Sequence, residues 1–287
     1  MTSNTYPAKG VILLVLIGVL AFVFEPVAAE PGEDPEESSD KAFKQSNWTI
    51  TIPLWIPGYR GQFAIGDVDM DGEPGDGEGG GEDSIFWRLF YPKTSLEFFF
   101  SGEVTYRHDR WRVEGDIFGG QLGASVNFRL TDGTLAGANV RPIMPRIMAG
   151  YRAASWQWGN KNRFSLDIWP HAGIRHIYLD IQTQLLQTNI QPAATGSWTD
   201  PVLGVWAPLK LSKRWGMELA GDIGGFGVGS EFTWSLEIKA TCRFGQLISM
   251  RFGYAMLDVF IKDTVASQDF RYDVFLAGPT LGLVFNI

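Results

Sequence analysis

Residues 221–244 read GDIGGFGVGSEFTWSLEIKATCRF, a glycine-rich turn followed by a strand whose side chains alternate between apolar and polar. One face carries Phe232, Trp234, Leu236, Ile238, Ala240, Cys242 and Phe244, and the other carries Thr233, Ser235, Glu237, Lys239, Thr241 and Arg243. A period of two is typical of a β-strand with a different environment on each side of its sheet. The run exceeds an ordinary strand of about 5 to 6 residues and reaches the roughly 9 to 11 that cross a bilayer at a tilt.

Similar alternation recurs along the chain and predicts about ten antiparallel strands. The predicted strands cover residues 48–66, 96–107, 111–128, 138–155, 164–183, 198–210, 215–226, 232–244, 248–262 and 270–287. Pro142 and Pro145 interrupt the fourth of these, and we expect a bulge or a distorted strand end there. The pattern predicts an all-β protein, and its length is typical of a transmembrane barrel; eight or twelve strands are the alternatives.

The predicted connections are of two kinds that alternate along the chain. Residues 108–110, 158–162, 211–214 and 244–247 form tight turns, whereas 67–95, 129–137, 184–197, 226–231 and 263–269 are mostly longer. Outer-membrane barrels combine short periplasmic turns with longer outer loops in this way. A secreted soluble sandwich or a lipocalin-like barrel has the same period with its apolar face inward, and periodicity alone does not separate these possibilities.

Aromatic residues gather near both predicted ends of the strands. Those beside the tight turns are Tyr106, Trp111, Trp156, Trp158, Phe164, Trp215, Phe244 and Phe285, and those toward the other end are Trp198, Phe226, Phe232, Trp234, Phe260 and Phe270. Aromatic girdles mark the two interfaces of a membrane-embedded barrel. The two groups therefore favour the membrane interpretation.

The first 46 residues predict export and then a flexible segment. Lys9, an uncharged apolar run over 10–24 and Val27-Ala28-Ala29 match a secretory signal, so we expect residues 1–29 to be removed. Residues 30–46 are acidic, poor in apolar side chains and predicted to be a disordered leader. The barrel would then occupy 47–287 of an outer-membrane protein, with an acidic, glycine-rich outer loop at 66–84.

The net charge of -8 lies mainly in two acidic segments. Residues 30–41 contribute -5 and residues 67–83 contribute -8, so the remainder is positive by 5. Because the excess charge belongs to a leader and a loop, we expect no nucleic-acid partner. Cys242 is the only cysteine, so an intramolecular disulfide is excluded.

The second half of the chain resembles a widespread family of uncharacterised Gram-negative outer-membrane β-barrel proteins. The resemblance rests mainly on WTDPVLG (198–204), GDIGGFGVGSEFTW (221–234) and GPTLG (278–282). It implies a barrel in contact with outer-membrane lipid and lipopolysaccharide, inserted by the barrel-assembly machinery. It implies no activity, and the oligomeric state stays open. The chain departs from the usual pattern in ending on Ile287 rather than phenylalanine.

An acidic run in the predicted outer loop has the spacing of a calcium-binding loop. Asp67, Asp69, Asp71, Glu73 and Glu78 occupy positions 1, 3, 5, 7 and 12 of such a loop. Pro74 and the surrounding glycines argue against it, because an EF-hand requires flanking helices. A solvated loop without an ion is the alternative, and Ca²⁺ is the only cofactor that the sequence suggests.

The polar faces of the predicted strands carry charges of both signs. They include Glu97, Glu103, Arg107, Arg112, Glu114, Asp116, Asp167, Arg175, Glu218, Asp222, Glu237, Lys239, Arg243 and Arg251. About eight strands fill their own interior and 16 to 18 are needed for a wide channel, so about ten leave little free space. We expect the charges to pair with one another. The predicted function is a structural or surface barrel, with a narrow, porin-like passage for small solutes as a possibility.

A hydrolase of the protease or lipid A-modifying type, located at the rim, is the alternative function. His176 lies four residues before Asp180, and a histidine near Asp180 or Asp222 could act as a general base. The sequence places no serine or acid pair beside this histidine. We therefore expect no enzymatic activity, and His176, Asp180 and Asp222 are the candidate catalytic residues of the alternative.

Overall fold

The computed structural model describes residues 47–65, 68–72, 96–122, 127–129, 135–159, 163–185, 193–265 and 268–287. These residues form fourteen strands: β1 (Trp48–Trp55), β2 (Gly58–Ile65), β3 (Val68–Gly72), β4 (Leu96–His108), β5 (Trp111–Leu122), β6 (Asn127–Arg129), β7 (Leu135–Tyr151), β8 (Ala154–Trp158), β9 (Phe164–Leu185), β10 (Ala193–Lys210), β11 (Trp215–Gly224), β12 (Phe232–Arg243), β13 (Ile248–Val265) and β14 (Gln268–Asn286). No helix in this part of the chain is long and apolar enough to cross a membrane.

The strands form one closed antiparallel barrel with ten positions around its ring. The order is β1, β4, β5, β7, β9, β10, β11, β12, β13 and β14, and β14 pairs with β1 to close the ring. β2 continues β1 along β14, and β8 continues β7 along β9. β3 and β6 pair with β2 and β7. The prediction of an all-β antiparallel barrel of about ten strands is confirmed, and the alternatives of eight and twelve strands are wrong.

The break between β1 and β2 is caused by a proline and leaves the register unchanged. Trp55 pairs with Thr280 and Gly58 pairs with Ala277, so both strands follow β14 without a shift. Pro57 has no backbone N–H and cannot donate to the ladder. The N–H of Ile56 still donates to the carbonyl of Pro279 at 3.1 Å. The two strands therefore act as one wall element.

The break between β7 and β8 is a β-bulge. Gly150 pairs with His171 and Ala154 with Ile168, so a step of four residues on one strand faces a step of three on the other. We expected the distortion at Pro142 and Pro145, and this expectation is wrong. β7 passes through both prolines, which pair with Leu179 and Ile117 in an unshifted register.

Short connections gather at one end of the barrel, called here the tight-turn end. They link β4 to β5, β8 to β9, β10 to β11 and β12 to β13. Trp48 and Ile287 also meet there, because the N–H of Ile287 donates to the carbonyl of Trp48 at 3.0 Å. Two connections at the opposite, outer end are shorter than predicted. β9 reaches Leu185, β10 begins at Ala193 and β13 reaches Val265, so half of the loop expected at 184–197 and most of the loop expected at 263–269 are strand.

Near the tight-turn end, the barrel is apolar outside and polar inside. Ile52, Ile147 and Leu203 point outward and are 60%, 53% and 53% exposed. Arg112 and Glu114 point inward and are only 2% and 1% exposed. This part, called here the lower section, reverses the arrangement of a water-soluble barrel. It resolves the question that periodicity left open, since the apolar faces of the strands are the outer ones.

At the outer end, the arrangement of polar and apolar faces is inverted. This part, called here the collar, comprises residues 139–142, 177–182, 195–199, 259–265 and 269–274. Its inward side chains include the buried Ile177, Leu179, Ile181, Val259, Ile261, Phe270, Tyr272 and Val274. Its outward side chains include Arg141, Asp180, Lys262, Arg271 and Asp273. All of these except Arg141 lie on the long strands β9, β13 and β14. The collar therefore has the side-chain distribution of a water-soluble barrel.

An aromatic girdle surrounds the tight-turn end, as predicted. The predicted members Trp111, Trp156, Trp158, Trp215 and Phe244 are exposed there, together with Trp48 and Tyr151, which were not predicted. The predicted Tyr106, Phe164 and Phe285 are only partly exposed. The second predicted girdle is wrong for two of its members, because Trp198 and Phe270 face the lumen. Their rings stack with centroids 5.4 Å apart and an interplanar angle of 9°. They belong to the interior of the collar.

The glycine-rich stretch forms the compact hairpin between β11 and β12. Gly225, Phe226 and Gly227 adopt positive φ angles of 87°, 53° and 72°, which glycine tolerates best. The fully buried Asp200 accepts hydrogen bonds from the N–H and hydroxyl of Ser230 at 2.7 and 2.6 Å. The predicted tight outer turn is confirmed, and a buried carboxylate from β10 anchors it.

The inverted collar predicts opposite tolerance at two neighbouring positions. Ile261→Asp places a carboxylate in the apolar interior, where an unpaired charge is strongly destabilising, and we expect refolding in detergent micelles to fail. Lys262→Asp changes the outward neighbour, where a surface substitution usually costs no more than about 0.5 kcal/mol. The measurement is the fraction of chain that migrates as a heat-modifiable folded band. Equal refolding of both variants would contradict the inversion.

Candidate functional site in the barrel lumen

Among the described residues, the lower section contains a layer of twelve inward-facing charged residues, called here the charge belt. Strict alternation on seven strands turns these side chains to the same side of the wall. Six are acidic (Glu103, Glu114, Asp116, Glu218, Asp222 and Glu237) and six are basic (Arg107, Arg112, Arg146, Arg175, Lys239 and Arg251). The formal charges of the belt therefore sum to zero.

Ion pairs of the belt join opposite walls of the barrel. Arg112 on β5 reaches Glu218 on β11 with 2.6 Å between Nη1 and Oε2. Glu103 on β4 lies 3.7 Å from the Nζ of Lys239 on β12 and 2.8 Å from Arg251 on β13. Each of these contacts spans at least three ring positions. The charged side chains therefore bridge the lumen instead of lining an open channel.

Asp222 is the most densely bonded acid of the belt. Its Oδ1 accepts from Arg175 at 2.6 Å, and its Oδ2 accepts from Arg146 at 2.6 Å and from Ser235 at 2.5 Å. Arg146 also donates to Asp116 at 2.9 Å. Both carboxylate oxygens of Asp222 are thus occupied by donors. This environment suits a structural ion pair and leaves no free oxygen for a general base.

A stacked group of rings lies beside the belt. His171 stacks on Trp206 with ring centroids 4.0 Å apart. The guanidinium carbon of Arg112 also lies over the Trp206 ring, 4.3 Å from its centroid. Neither ring nitrogen of His171 has a hydrogen-bond partner among the described residues. Gly204 permits this close packing, because a Cβ there would lie 2.6 Å from Nε2 of His171. The histidine is part of the packed interior.

Apolar side chains close the lumen above the belt. They fill the collar and extend down to Phe118, Met144, Leu257 and Leu276. The stacked Trp198 and Phe270 belong to β10 and β14, which are four positions apart in the ring. The indole N–H of Trp198 donates to Asp263 at 2.7 Å. The lumen therefore has two successive barriers, one charged and one apolar.

A cavity of about 120 Å³ lies where these two barriers meet. Its apolar lining includes Trp55, Phe118, Met144 and Leu257, and its polar lining includes Glu103, Asp116, Arg146, Arg175, Lys239 and Arg251. The indole Nε1 of Trp55 is buried without a hydrogen-bond partner among the described residues. The cavity thus combines an apolar wall with a charged floor.

The candidate residues of the hydrolase alternative do not come together. His176 and Asp180 lie on the outward face of β9, where Nδ1 of His176 is 2.8 Å from the Thr199 hydroxyl. Asp222 lies inside the barrel, paired with Arg146 and Arg175. The wall of the barrel therefore separates the histidine from Asp222, and no shared substrate position exists for these two groups.

The calcium-loop prediction falls mostly outside the described residues. Asp69 and Asp71 belong to β3, while Asp67, Glu73 and Glu78 are not described. In the part of the chain that the structure describes, no group of three or more His, Cys, Asp or Glu side chains is arranged to hold a metal ion. Calcium binding stays a prediction.

One central residue of the belt is missing from the charged residues predicted to face the lumen. Arg146 binds Asp116 and Asp222 and lies 3.8 Å from Glu237. It stands directly after Pro145, in a stretch where two prolines obscured the alternation. The signal was its even position, since Met144 and Met148 share its inward face on β7. Conversely, Asp167 lies near the tight-turn end, bonded to Ser155, and takes no part in the belt.

Comparison with solved structures returns outer-membrane β-barrels. The chain is similar to Neisserial surface protein A at 9% identity, over 84% of this chain and 98% of that one, with a TM-score of 0.29. It is similar to a Pseudomonas aeruginosa FadL homologue at 10% identity, over 85% of this chain and 90% of that one, with a TM-score of 0.32. It is similar to OmpT, an outer membrane protein of Vibrio cholerae, at 8% identity, over 83% of this chain and 96% of that one, with a TM-score of 0.22. No protein-family model and no curated protein matches the chain. These similarities concern the fold and carry no further conclusion.

The belt predicts a large difference between two arginines on β7. Arg146→Ala leaves Asp116 and Asp222 short of a buried partner, and breaking such a pair costs about 3 to 5 kcal/mol. Arg141→Ala removes an outward arginine that is 47% exposed and lies 4.0 Å from Asp180. An exposed ion pair of this kind contributes less than about 1 kcal/mol to stability. Urea unfolding of the refolded barrel in detergent micelles measures both. Similar losses for the two variants would show that the belt does not stabilise the barrel.

Proposed function

We propose that this protein is an outer-membrane β-barrel that is closed at rest, with an internal chamber in place of an open pore. The observation that carries the proposal is the contact of charged side chains from opposite walls, above all Arg112 with Glu218 at 2.6 Å. Export through a cleaved signal at residues 1–29, insertion by the barrel-assembly machinery and a Gram-negative source belong to the same proposal.

The outer surface supports the membrane location. The lower section presents apolar side chains outward, above an aromatic girdle at the tight-turn end, as expected for a barrel in lipid. The collar presents charged side chains outward, which would be unfavourable in hydrocarbon but suits water and lipid headgroups. In this arrangement the tight-turn end faces the periplasm, and the collar stands at the level of lipopolysaccharide.

The interior supports a closed barrel more than a porin-like passage. An aqueous passage requires polar side chains that leave water between the walls, as in barrels of 16 to 18 strands. Here the belt joins its walls through ion pairs, and the collar is filled by apolar side chains. A hydrated solute would have to break both layers. The enzyme alternative gains no support, since its histidine and Asp222 lie on opposite sides of the wall.

The orientation predicts which end reacts with a reagent outside the cell. In a Cys242→Ser background, Val228→Cys puts a thiol on the outer hairpin and Leu247→Cys puts one in a tight turn, at positions 73% and 67% exposed. We expect a membrane-impermeant maleimide to label Val228→Cys in intact Gram-negative cells and to label Leu247→Cys only after lysis. Both variants lie in similarly exposed turns, so the comparison isolates location. Labelling of Leu247→Cys alone in intact cells would show that the barrel has the opposite orientation. If neither variant is labelled after lysis, the two thiols are not exposed as the structure indicates.

The two barriers predict a conductance that appears only when both are removed. In planar bilayers we expect no ohmic steps from the wild type, from Arg112→Ala/Glu218→Ala or from Trp198→Ala/Phe270→Ala. The combined four-site variant should conduct, because it clears the charged and the apolar layers together. Only preparations that migrate as folded barrels are compared, and Arg271→Ala/Asp273→Ala, an outward ion pair of 3.5 Å, serves as control. Ohmic steps from the wild type would overturn the proposal.

A further inference from the structure

The cavity at the junction of the two barriers has the size of a small organic molecule. Its volume is about 120 Å³. An apolar protein cavity of about 150 Å³ binds benzene, and a water molecule in the liquid takes up about 30 Å³. The space therefore suits one ring or a short alkyl chain, and it is too small for a sugar chain or a peptide.

One side of the cavity fits a flat apolar group. The rings of Trp55 and Phe118 meet there with centroids 4.7 Å apart and planes inclined at 59°. Met144 and Leu257, both buried, complete this side. A ring placed against these side chains would gain edge and face contacts of the kind that aromatic pairs favour. This wall therefore selects a ligand with an apolar, preferably aromatic, body.

The other side of the cavity disfavours a ligand with a net charge. Its acids and bases already neutralise one another, with Lys239 at 2.6 Å from Glu237, Arg251 at 2.8 Å from Glu103 and Arg146 at 2.9 Å from Asp116. A carboxylate or an ammonium group would have to displace one of these partners and leave it buried and unpaired, at considerable cost. A neutral polar group can use spare donors and acceptors without breaking a pair.

Trp55 adds a specific requirement. The residue lines the cavity, its indole N–H is buried without a partner among the described residues, and a buried unsatisfied donor is unfavourable. A ligand oxygen would satisfy it while the ligand body packs against Phe118. We infer that the cavity is a binding site for a small neutral molecule with an apolar ring and one hydroxyl or carbonyl oxygen, of which phenol is the simplest aromatic example.

This inference rests on the closed barrel proposed above, and binding of phenol to the full barrel tests it. The protein is prepared in deuterated detergent micelles, and saturation-transfer NMR compares phenol with benzene and benzoate. We expect phenol to bind several-fold to about tenfold more tightly than benzene, the difference that one hydrogen bond supplies. Benzoate should bind more weakly than either. Tighter binding of benzoate would overturn the inference.

Two variants locate the bound molecule. Ala255 is buried and lines the cavity, so Ala255→Leu should fill it and remove phenol binding. Ala240→Leu makes the same change on the outward face of the neighbouring strand β12 and should leave binding intact. Phenol binding that survives Ala255→Leu would place the ligand in the micelle or elsewhere on the barrel, contrary to the inference.

A third variant tests the role of the indole donor. Trp55→Phe keeps an aromatic ring but removes the N–H, and we expect phenol and benzene then to bind about equally. An undiminished preference for phenol would show that Trp55 does not select the ligand. Conductance of the same preparation is recorded in parallel. A closed barrel that binds no phenol refutes only this inference, whereas a conducting wild type refutes the proposed function.

Discussion

Charge neutrality inside the lower section is the constraint on which the rest of the structure depends. The charge belt brings six acids and six bases from seven strands into one layer of the lumen. An ion left unpaired there would cost several kcal/mol, so each strand must present its charge at one height and on the inward face. A slip of one residue would turn the charges of that strand outward. The belt therefore fixes the register around the ring as well as filling the interior.

Alternation within a strand was enough to predict most of the barrel. The even and odd positions of Phe232 to Arg243 occupy the two faces of β12 as expected, and Glu237 and Lys239 point into the lumen and pair at 2.6 Å. The tight turns were predictable because short polar runs separate long alternating ones. The hairpin at Gly225 to Ser230 was predictable from its glycines, although its anchor, Asp200, lies on a different strand and leaves no local trace.

The collar and the pairing of charges were not predictable, for two physical reasons. In the collar the inward face becomes apolar, while Tyr178 and Phe260 stand among the charged residues of the outward face, so the alternation loses contrast. Trp198 and Phe270 were consequently assigned to an outer girdle, whereas they stack inside the barrel. The ion pairs depend on which walls face each other across the lumen. The contact of Arg112 with Glu218 joins residues 106 positions apart, and only the closed ring brings them together.

The inversion between lower section and collar also explains why the cavity lies where it does. Below the junction, the inward side chains are charged and pair with one another. Above the junction, the inward side chains pack through apolar surface. A side chain at the junction cannot satisfy both neighbours, and Trp55 illustrates the conflict, since its ring packs on Phe118 while its N–H stays unpaired among the described residues. A lumen that was polar throughout would admit water, and one that was apolar throughout would stay dry. A cavity with one apolar side and one charged side arises because the lining of the lumen changes from charged to apolar along the barrel axis.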